Sequence, residues 1–504
     1  MLTNVSEFLD ASVKKYPNKI AFIDENDAIS YVNLQIGAKK FASYLLNLSI
    51  KPNSAVVFFM PKSINAVQGI FGCLYARVCY SFFETSLPAK RLNDMLGVLK
   101  ASLIITTKEH KAQAYQIFNQ SLKDQNVKII LIDECLKTSI NSSLLAQISR
   151  TYQATDALSI VFTSGSTGVP KGVVKSHANV LYFARAFVST LKLSSDDILA
   201  NQAPFDFDVA NKDIYCGVYV GASVVLLTQK DFIKPTCLVD KLIKFNVTTL
   251  IWAVSALCLL SAFRVFNYKI PNQISKVFFS GEVMPLNHLK IWQHYLPKAK
   301  FINLYGPSEI TFNCTFYEVP KDYECIDTLP IGKAFYGQKV FLLSDELKEI
   351  TEVGKIGEIC VSGPNVALGY WCEQEKSNEV FIQNPLNKSY FERIYKTGDL
   401  GKLNDNGEFV YVGRKDFMVK HMGHRIELPE IELAAQKLAE STCAIFKDYK
   451  INLFFTGICD ESALMGELKK NLPTYMLPNR LIKLENFTLN THGKIDRKIL
   501  ENML

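Results

Sequence analysis

The chain has no CxxC pair, no GxxxxGK[ST] loop, no dense basic run, no internal repeat and no low-complexity tract. Its 12 cysteines are scattered, at positions such as Cys73, Cys79, Cys135, Cys216, Cys258 and Cys314. That spacing argues against a zinc site. Without an export signal it suits buried thiols in a reducing, cytoplasmic compartment. The first residues, MLTNVSEFLDASVKKYPNK, alternate polar and apolar in helical fashion and make no secretory signal. The apolar stretch from Ala66 to Tyr80 is short and broken by Gln68, Arg77 and glycines, so it reads as a buried helix and not as a membrane span. A net charge of +7 over 504 residues is too thin to argue for nucleic acid. The expectation is a protein with no nucleic-acid partner and no membrane insertion.

What is present is a large core. Apolar residues are 48% of the chain and charged residues 21%, and the length predicts two or more domains. Short β-branched runs alternate with helical stretches. The runs are Ser54–Phe59, Ser102–Thr107, Lys128–Asp133, Ser159–Thr163, Ser223–Thr228, Thr248–Ala253 and Lys276–Ser280. Continuous apolar runs of this length predict strands buried on both faces in α/β layers. Ser63–Ala76 and Pro285–His294 read as helices. From about Thr328 the pattern changes to KVFLLSDELKEI, GKIGEICVSG and GKLNDNGEFVYVGR, which read as antiparallel hairpins. About ninety residues follow Gly413-Arg414-Lys415-Asp416, enough for a small α+β domain, with the boundary near Asp416.

The sharpest local signal is the run SIVFTSGSTGVPKGV, from Ser159 to Val173. A predicted strand enters Thr163-Ser164-Gly165-Ser166-Thr167-Gly168, and Lys171 follows Val169-Pro170. Small residues let backbone approach a phosphate, hydroxyls and amides donate to its oxygens, and a lysine adds a point charge.

With further segments in order, the chain resembles the adenylate-forming superfamily of acyl-CoA synthetases, luciferases and peptide-synthetase adenylation domains. The segments are FDFDV (205–209), FFSGEVMP (278–285), NLYGPSE (303–309), PIGKA (330–334), GEICVSGPNVALGYW (357–371), YKTGDL (395–400), GRKDFMVKHMGHRIELPEIE (413–432) and NTHGKIDR (490–497). Within the superfamily it is most similar to stand-alone amino-acid-activating members, the D-alanine–D-alanyl carrier protein ligases in particular. The resemblance implies an α/β fold. Its large N-terminal domain, residues 1–415, would hold layered α/β subdomains plus a β-rich subdomain, and residues 416–504 would form a small mobile α+β domain.

It also implies roles. Thr163, Ser164, Gly165, Ser166, Thr167, Gly168 and Lys171 would hold the phosphates of ATP. Asn303, Leu304, Tyr305, Gly306, Pro307 and Ser308 would line the nucleotide site, with Tyr305 stacked on adenine. Asp399 would bind the ribose hydroxyls, with Tyr411 and Arg414 nearby. Glu309 would hold Mg²⁺, a hard ion suited to oxygen ligands. Lys494 would be catalytic, neutralising charge at the α-phosphate between carboxylate and leaving group. Asp416 would be the hinge between two half-reactions. The acid pocket would comprise Asp208, Val209, Lys212, Trp252, Phe278, Ser280, Leu304, Phe312 and Asn313. Asp208 would meet a substrate α-ammonium, since a buried carboxylate favours a cationic partner. Lys212 and Ser280 depart from the alanine-ligase pattern, and Lys212 is expected to read a polar or acidic substrate side chain.

The implied activity is formation of an aminoacyl-AMP and transfer to the phosphopantetheine of a carrier protein. Because the sequence ends shortly after NTHGKIDR, that carrier is expected to act in trans. An acyl-CoA synthetase is the alternative, which Asp208 speaks against. A catalytically dead scaffold would require the loss of Thr163, Lys171, Glu309, Asp399, Arg414 or Lys494, all of which are present.

Overall fold

The computed structural model describes residues 2–124, 127–165, 168–321, 328–488 and 495–504. Two large sheets carry its first part. The nine-stranded sheet has at its centre the parallel strands Lys300–Tyr305, Lys276–Ser280, Thr249–Ala253, Ile198–Asn201, Ser223–Leu226 and Ile20–Ile23. The seven-stranded sheet runs Gly369–Tyr370, Lys171–Ser176, Ala157–Thr163, Cys79–Phe82, Ala55–Phe59, Leu103–Thr106 and Lys128–Leu131.

Successive side chains of a strand point to opposite faces, and that alternation builds the layers. Val56, Phe58 and Tyr80 of one sheet and Val224, Ile251 and Phe278 of the other share a single core. The helices Tyr31–Asn47, Ile64–Tyr75, His177–Leu191 and Asp208–Val220 contribute to the same core and lie between the sheets. The alternate residues face outward into separate cores. Val225, Leu250, Trp252 and Phe279 meet helices Pro235–Lys244, Val254–Ala262 and Leu286–Tyr295. Val57, Phe59 and Ile104 meet helices Ala89–Leu99 and Lys111–Asp124. Burial on both faces explains the unbroken apolar runs.

A six-stranded antiparallel sheet follows, including Lys339–Leu343, Gly357–Ser362, Arg393–Leu403 and Phe409–Arg414. After Arg414 the chain enters the hairpin Met418–His421 and His424–Glu427, then helix Leu428–Ala435. Next come the three strands Ser441–Lys447, Lys450–Thr456 and Arg480–Lys483. These residues have their own core around Ile431, Leu453, Phe455 and Leu464.

The expected strands appear within a residue or two, except that Ile132 and Asp133 open a short helix, Ile132–Lys137. Helix Ile64–Tyr75 starts where Ser63 caps it, its hydroxyl accepting from the Ala66 amide at 3.3 Å. The helix expected to reach Tyr80 stops at Tyr75. Arg77 adopts a left-handed φ of 59° and bonds Asp156 at 2.7 Å, and Cys79–Phe82 is a strand. GKIGEICVSG is not a hairpin of its own: its single strand lies between Lys339–Leu343 and Arg393–Leu403. No helix among the described residues is long and apolar enough to cross a membrane.

Candidate active site

The carboxyl ends of the central strands and the hairpin 418–427 converge on two adjoining cavities. The larger, about 900 Å³, is bordered by Asn303, Leu304, Tyr305, Gly306, Tyr411, Arg414 and Lys420. The smaller, about 130 Å³, is bordered by Thr163, Ser164, Asp208, Val209, Pro307, Ser308, Asp399 and Arg425. Gly281, Gly306, Arg414, Met418 and Lys420 border both.

The Gly-rich turn leaves strand Ala157–Thr163 into the smaller cavity. The Thr163 hydroxyl is buried there without a partner among the described residues. An orphan buried donor is costly unless a ligand satisfies it, so the turn fits an incoming phosphate. Ser164 donates to the Arg425 carbonyl at 2.9 Å. A Cβ on Gly165 would stand 2.2 Å from the Val169 carbonyl oxygen, so only glycine closes this turn. Lys171 has no carboxylate in ion-pair range among the described residues, and its ammonium lies 5.2 Å from the Tyr370 ring centroid. Burial, then Arg425, lowers its pKa. Ser166 and Thr167 lie outside the described residues, as does Lys494.

Tyr305 and Asp399 meet across two sheets, the Tyr305 hydroxyl donating to Asp399 Oδ2 at 2.6 Å. Arg414 Nη1 donates to the other Asp399 oxygen at 2.6 Å. Each carboxylate oxygen keeps a second lone pair for a ligand hydroxyl. Gly306 is required where Tyr305 turns away from its strand, because a Cβ would meet the Asn313 Cα at 2.6 Å. Lys420 sits 5.4 Å from the Tyr305 ring centroid and 5.9 Å from that of Tyr411, so its ammonium covers both rings. Asn303 is tied to the Pro330 carbonyl at 2.8 Å. Arg414 also grips Asp416 with two parallel bonds of 2.6 Å, so the expected hinge residue is clamped.

Glu309 differs from expectation. It is fully buried, Arg425 Nη1 donates to both its oxygens at 2.9 and 3.1 Å, and the Tyr370 hydroxyl donates at 2.8 Å. Burial alone would raise its pKa, but Arg425 and then Tyr370 reverse that and hold it down at about 2. Among the described residues no three His, Cys, Asp or Glu side chains cluster as metal ligands. With Arg425 on both of its oxygens, Glu309 does not fit a magnesium site in this arrangement, and no step below runs through the metal.

In the acid pocket, Asp208 opens the helix Asp208–Val220, and its Oδ2 accepts from buried Lys175 at 2.7 Å. Lys212 donates to Asn313 Oδ1 at 2.8 Å. Phe278, Leu304 and Phe312 belong to the shared core beside Val209, and Ser280 is buried two residues beyond Phe278 on the same face. Trp252 is a correction. It is an outward residue of its strand, donating from Nε1 to the Ala200 carbonyl at 2.7 Å and packing against Phe232 on the far side of the sheet. Its neighbour Ile251 is the inward residue.

Sequence reasoning missed three partners. Lys175 takes the Asp208 carboxylate, Arg425 takes Glu309, and Arg91 forms a buried ion pair with Glu430 that joins helix Ala89–Leu99 to helix Leu428–Ala435. A signal for Lys175 existed. It lies four residues after Lys171 on one strand, hence on the same face.

A glycine-rich turn, an aromatic ring bonded to a buried carboxylate and a basic hairpin packed against both suit a nucleotide-dependent enzyme. Residues 9–371 match the model of the AMP-binding enzyme family, and the chain belongs to that family. It is 29% identical to an L-proline–[L-prolyl-carrier protein] ligase of Pseudomonas fluorescens, over 96% of each chain. It is 26% identical to tyrocidine synthase 1 of Brevibacillus parabrevis, over 99% of this chain and 45% of that one. It thus spans less than half the length of the tyrocidine and gramicidin S synthases that it matches. Its fold is that of the Vibrio cholerae adenylation domain AlmE, solved with glycyl-adenosine-5'-phosphate, with a TM-score of 0.85 at 17% identity over 100% of this chain and 98% of that one. An NRPS protein containing adenylation and PCP domains has a TM-score of 0.85 at 22% identity, over 99% of this chain and 84% of that one.

Proposed function

We propose that the protein activates an amino acid with ATP as its aminoacyl-AMP, then passes the acyl group to the phosphopantetheine thiol of a separate carrier protein. The observation that carries this reading is the convergence at the smaller cavity of the Thr163 hydroxyl, Asp208 and the Asp399–Arg414 pair, with Tyr305 bonded to Asp399 from the adjoining cavity. It supports assigning phosphate, acid and ribose sites to neighbouring residues. The family match and the carrier-protein ligase relative support it.

In the first step a substrate carboxylate oxygen attacks the α-phosphorus, and the bond to pyrophosphate breaks. The loop residues and Lys171 hold the phosphates, Tyr305 and Tyr411 offer faces to the adenine, and Asp399 accepts from the ribose. Lys494 is assigned the catalytic charge, opposing the negative charge that grows on the α-phosphoryl oxygens. In the second step a thiolate attacks the acyl carbon and AMP leaves.

Residues 1–415 form the core domain and 416–504 a mobile lid in this reading, a division supported by the separate core behind Asp416. Arg425 on Glu309 and Ser164 on the Arg425 backbone place the hairpin over the phosphate turn, an arrangement suited to the second step. Magnesium at Glu309 would require Arg425 to leave first. The cytoplasm is the assigned compartment, supported by the free state of every described cysteine.

One observation favours a second reading. Lys175 already neutralises Asp208, which a non-amino carboxylic acid would also require, so an acyl-CoA synthetase remains the alternative. The deciding experiment offers the purified protein ATP, an amino acid and either a phosphopantetheinylated carrier protein or coenzyme A. Aminoacyl-AMP by mass spectrometry with thioester on the carrier supports the proposal. Thioester on coenzyme A alone, from acids lacking an amine, refutes it.

A further inference from the structure

Two ammonium groups are buried beside Asp208, which borders the smaller cavity. Lys175 and Lys212 are each 1% exposed. Lys175 bonds Asp208, and its Nζ lies 4.6 Å from the Phe312 ring centroid. Lys212 follows Asp208 by one helical turn, bonds Asn313 and lies 5.7 Å from the Phe187 ring. Phe312 and Asn313 are consecutive, so both lysines reach the same stretch of chain.

The negative charge facing them is smaller. Asp213, the next residue, makes no ion pair with either lysine among the described residues: one of its oxygens accepts from the Asn201 amide at 3.0 Å and the other has no partner there. Glu309, the other carboxylate acting on Lys175, is already engaged by Arg425. Among the described residues, Asp208 on Lys175 is the one carboxylate in ion-pair range of either ammonium. Each ammonium has three donors, and each has one hydrogen-bond acceptor among the described residues. Burying a cation this poorly compensated is costly, so the corner favours an arriving anion.

We propose that Lys175 and Lys212 form an anion subsite, and that the substrate is an amino dicarboxylic acid whose side-chain carboxylate that subsite receives. Lys175 determines specificity in this arrangement. With Asp208 already neutralised, a neutral amino acid would add an ammonium to a corner that holds an unpaired Lys212. An amino dicarboxylate brings the compensating carboxylate with it. The inference rests on the amino-acid reading above and narrows it.

The test is kcat/KM for amino-acid-dependent ATP–pyrophosphate exchange, comparing aspartate with asparagine and glutamate with glutamine. The wild type should favour one of the acids over its amide by about ten-fold or more, and Lys175→Met should erase most of that ratio. Lys175→Met strands the Asp208 carboxylate, so the charge-neutral variant Lys175→Met/Asp208→Asn is measured beside it, with the acid-to-amide ratio again expected to collapse. Calorimetric titration of wild-type protein with aspartate, glutamate and alanine gives a readout that needs no variant. A wild type that prefers the amides or alanine, an unchanged ratio in either variant, or binding of alanine without either acid would each overturn the inference while leaving amino-acid activation standing. Exchange with no amino acid at all would overturn both.

Discussion

The Glu309 carboxylate is sealed from solvent, and its charge is held by Arg425 and the Tyr370 hydroxyl. Removing one partner of a buried pair leaves an uncompensated charge. Arg425→Met should therefore destabilise the protein by about 3 kcal/mol or more, and adding Glu309→Gln should recover much of the loss, as measured by denaturant unfolding. The linkage has a definite sign. The folded pKa of about 2 lies below the ordinary 4.5, so this stabilisation is complete above pH 4.5 and is lost as pH falls from there toward 2. Lys494→Ala should lower adenylate formation by about 10²–10³-fold while ATP still binds, read by pyrophosphate exchange alongside a nucleotide-binding titration. Unchanged exchange would refute the role given to that lysine. At this scale the sequence was informative where a residue's chemistry sufficed, as for the Thr163 and Gly165 turn. It was silent on counter-ions, because Lys175 and Arg425 reach Asp208 and Glu309 from strands distant in sequence. Trp252 was misplaced because alternation along a strand decides which face a residue takes, and a strand's phase is hard to read when both faces are apolar.

The element that decides the site's state is the hairpin Met418–Glu427. His424 stacks on Tyr475 with ring centroids 3.5 Å apart and meets the edge of Phe207 at 4.6 Å. Burial, then His421 and Arg91, lowers its pKa to about 3. Below pH 6.5 the released imidazole binds a proton that the docked one refuses. Docking is thus strongest above pH 6.5 and weakens as pH falls from 6.5 toward 3. Protection factors for hydrogen exchange across 418–427, corrected for the intrinsic exchange rate at each pH, should fall between pH 7 and pH 5, and His424→Phe should flatten that dependence. An equal fall in the variant would show that His424 is not the titrating group. The hairpin's strands were not singled out from sequence. KHMGHR is rich in charge, and its two strands pair with each other while Arg425 reaches Glu309 and Ser164 of the glycine-rich turn donates to the Arg425 carbonyl.

Across the whole molecule, the layered α/β core was legible because strands buried on both faces leave unbroken β-branched runs. The six-stranded sheet was legible only in part, since the partners of Gly357–Ser362 come from segments far apart in the chain. The residues after Asp416 pack around a hydrophobic core of their own, and Arg414 clamps Asp416, the residue proposed as the hinge, with two bonds. Asp416→Pro, which restricts φ, should retain one half-reaction and lower overall carrier loading by about ten-fold or more, as seen by assaying exchange and thioester formation separately. Equal effects on both assays would contradict a hinge. The most direct measurement of the account's central claim is ATP–pyrophosphate exchange by the wild-type protein across a panel of amino acids and of carboxylic acids lacking an amine. Exchange driven by at least one amino acid, and lost when that acid's amine is absent, is the predicted result. Exchange driven only by acids without an amine, or by none, would contradict it.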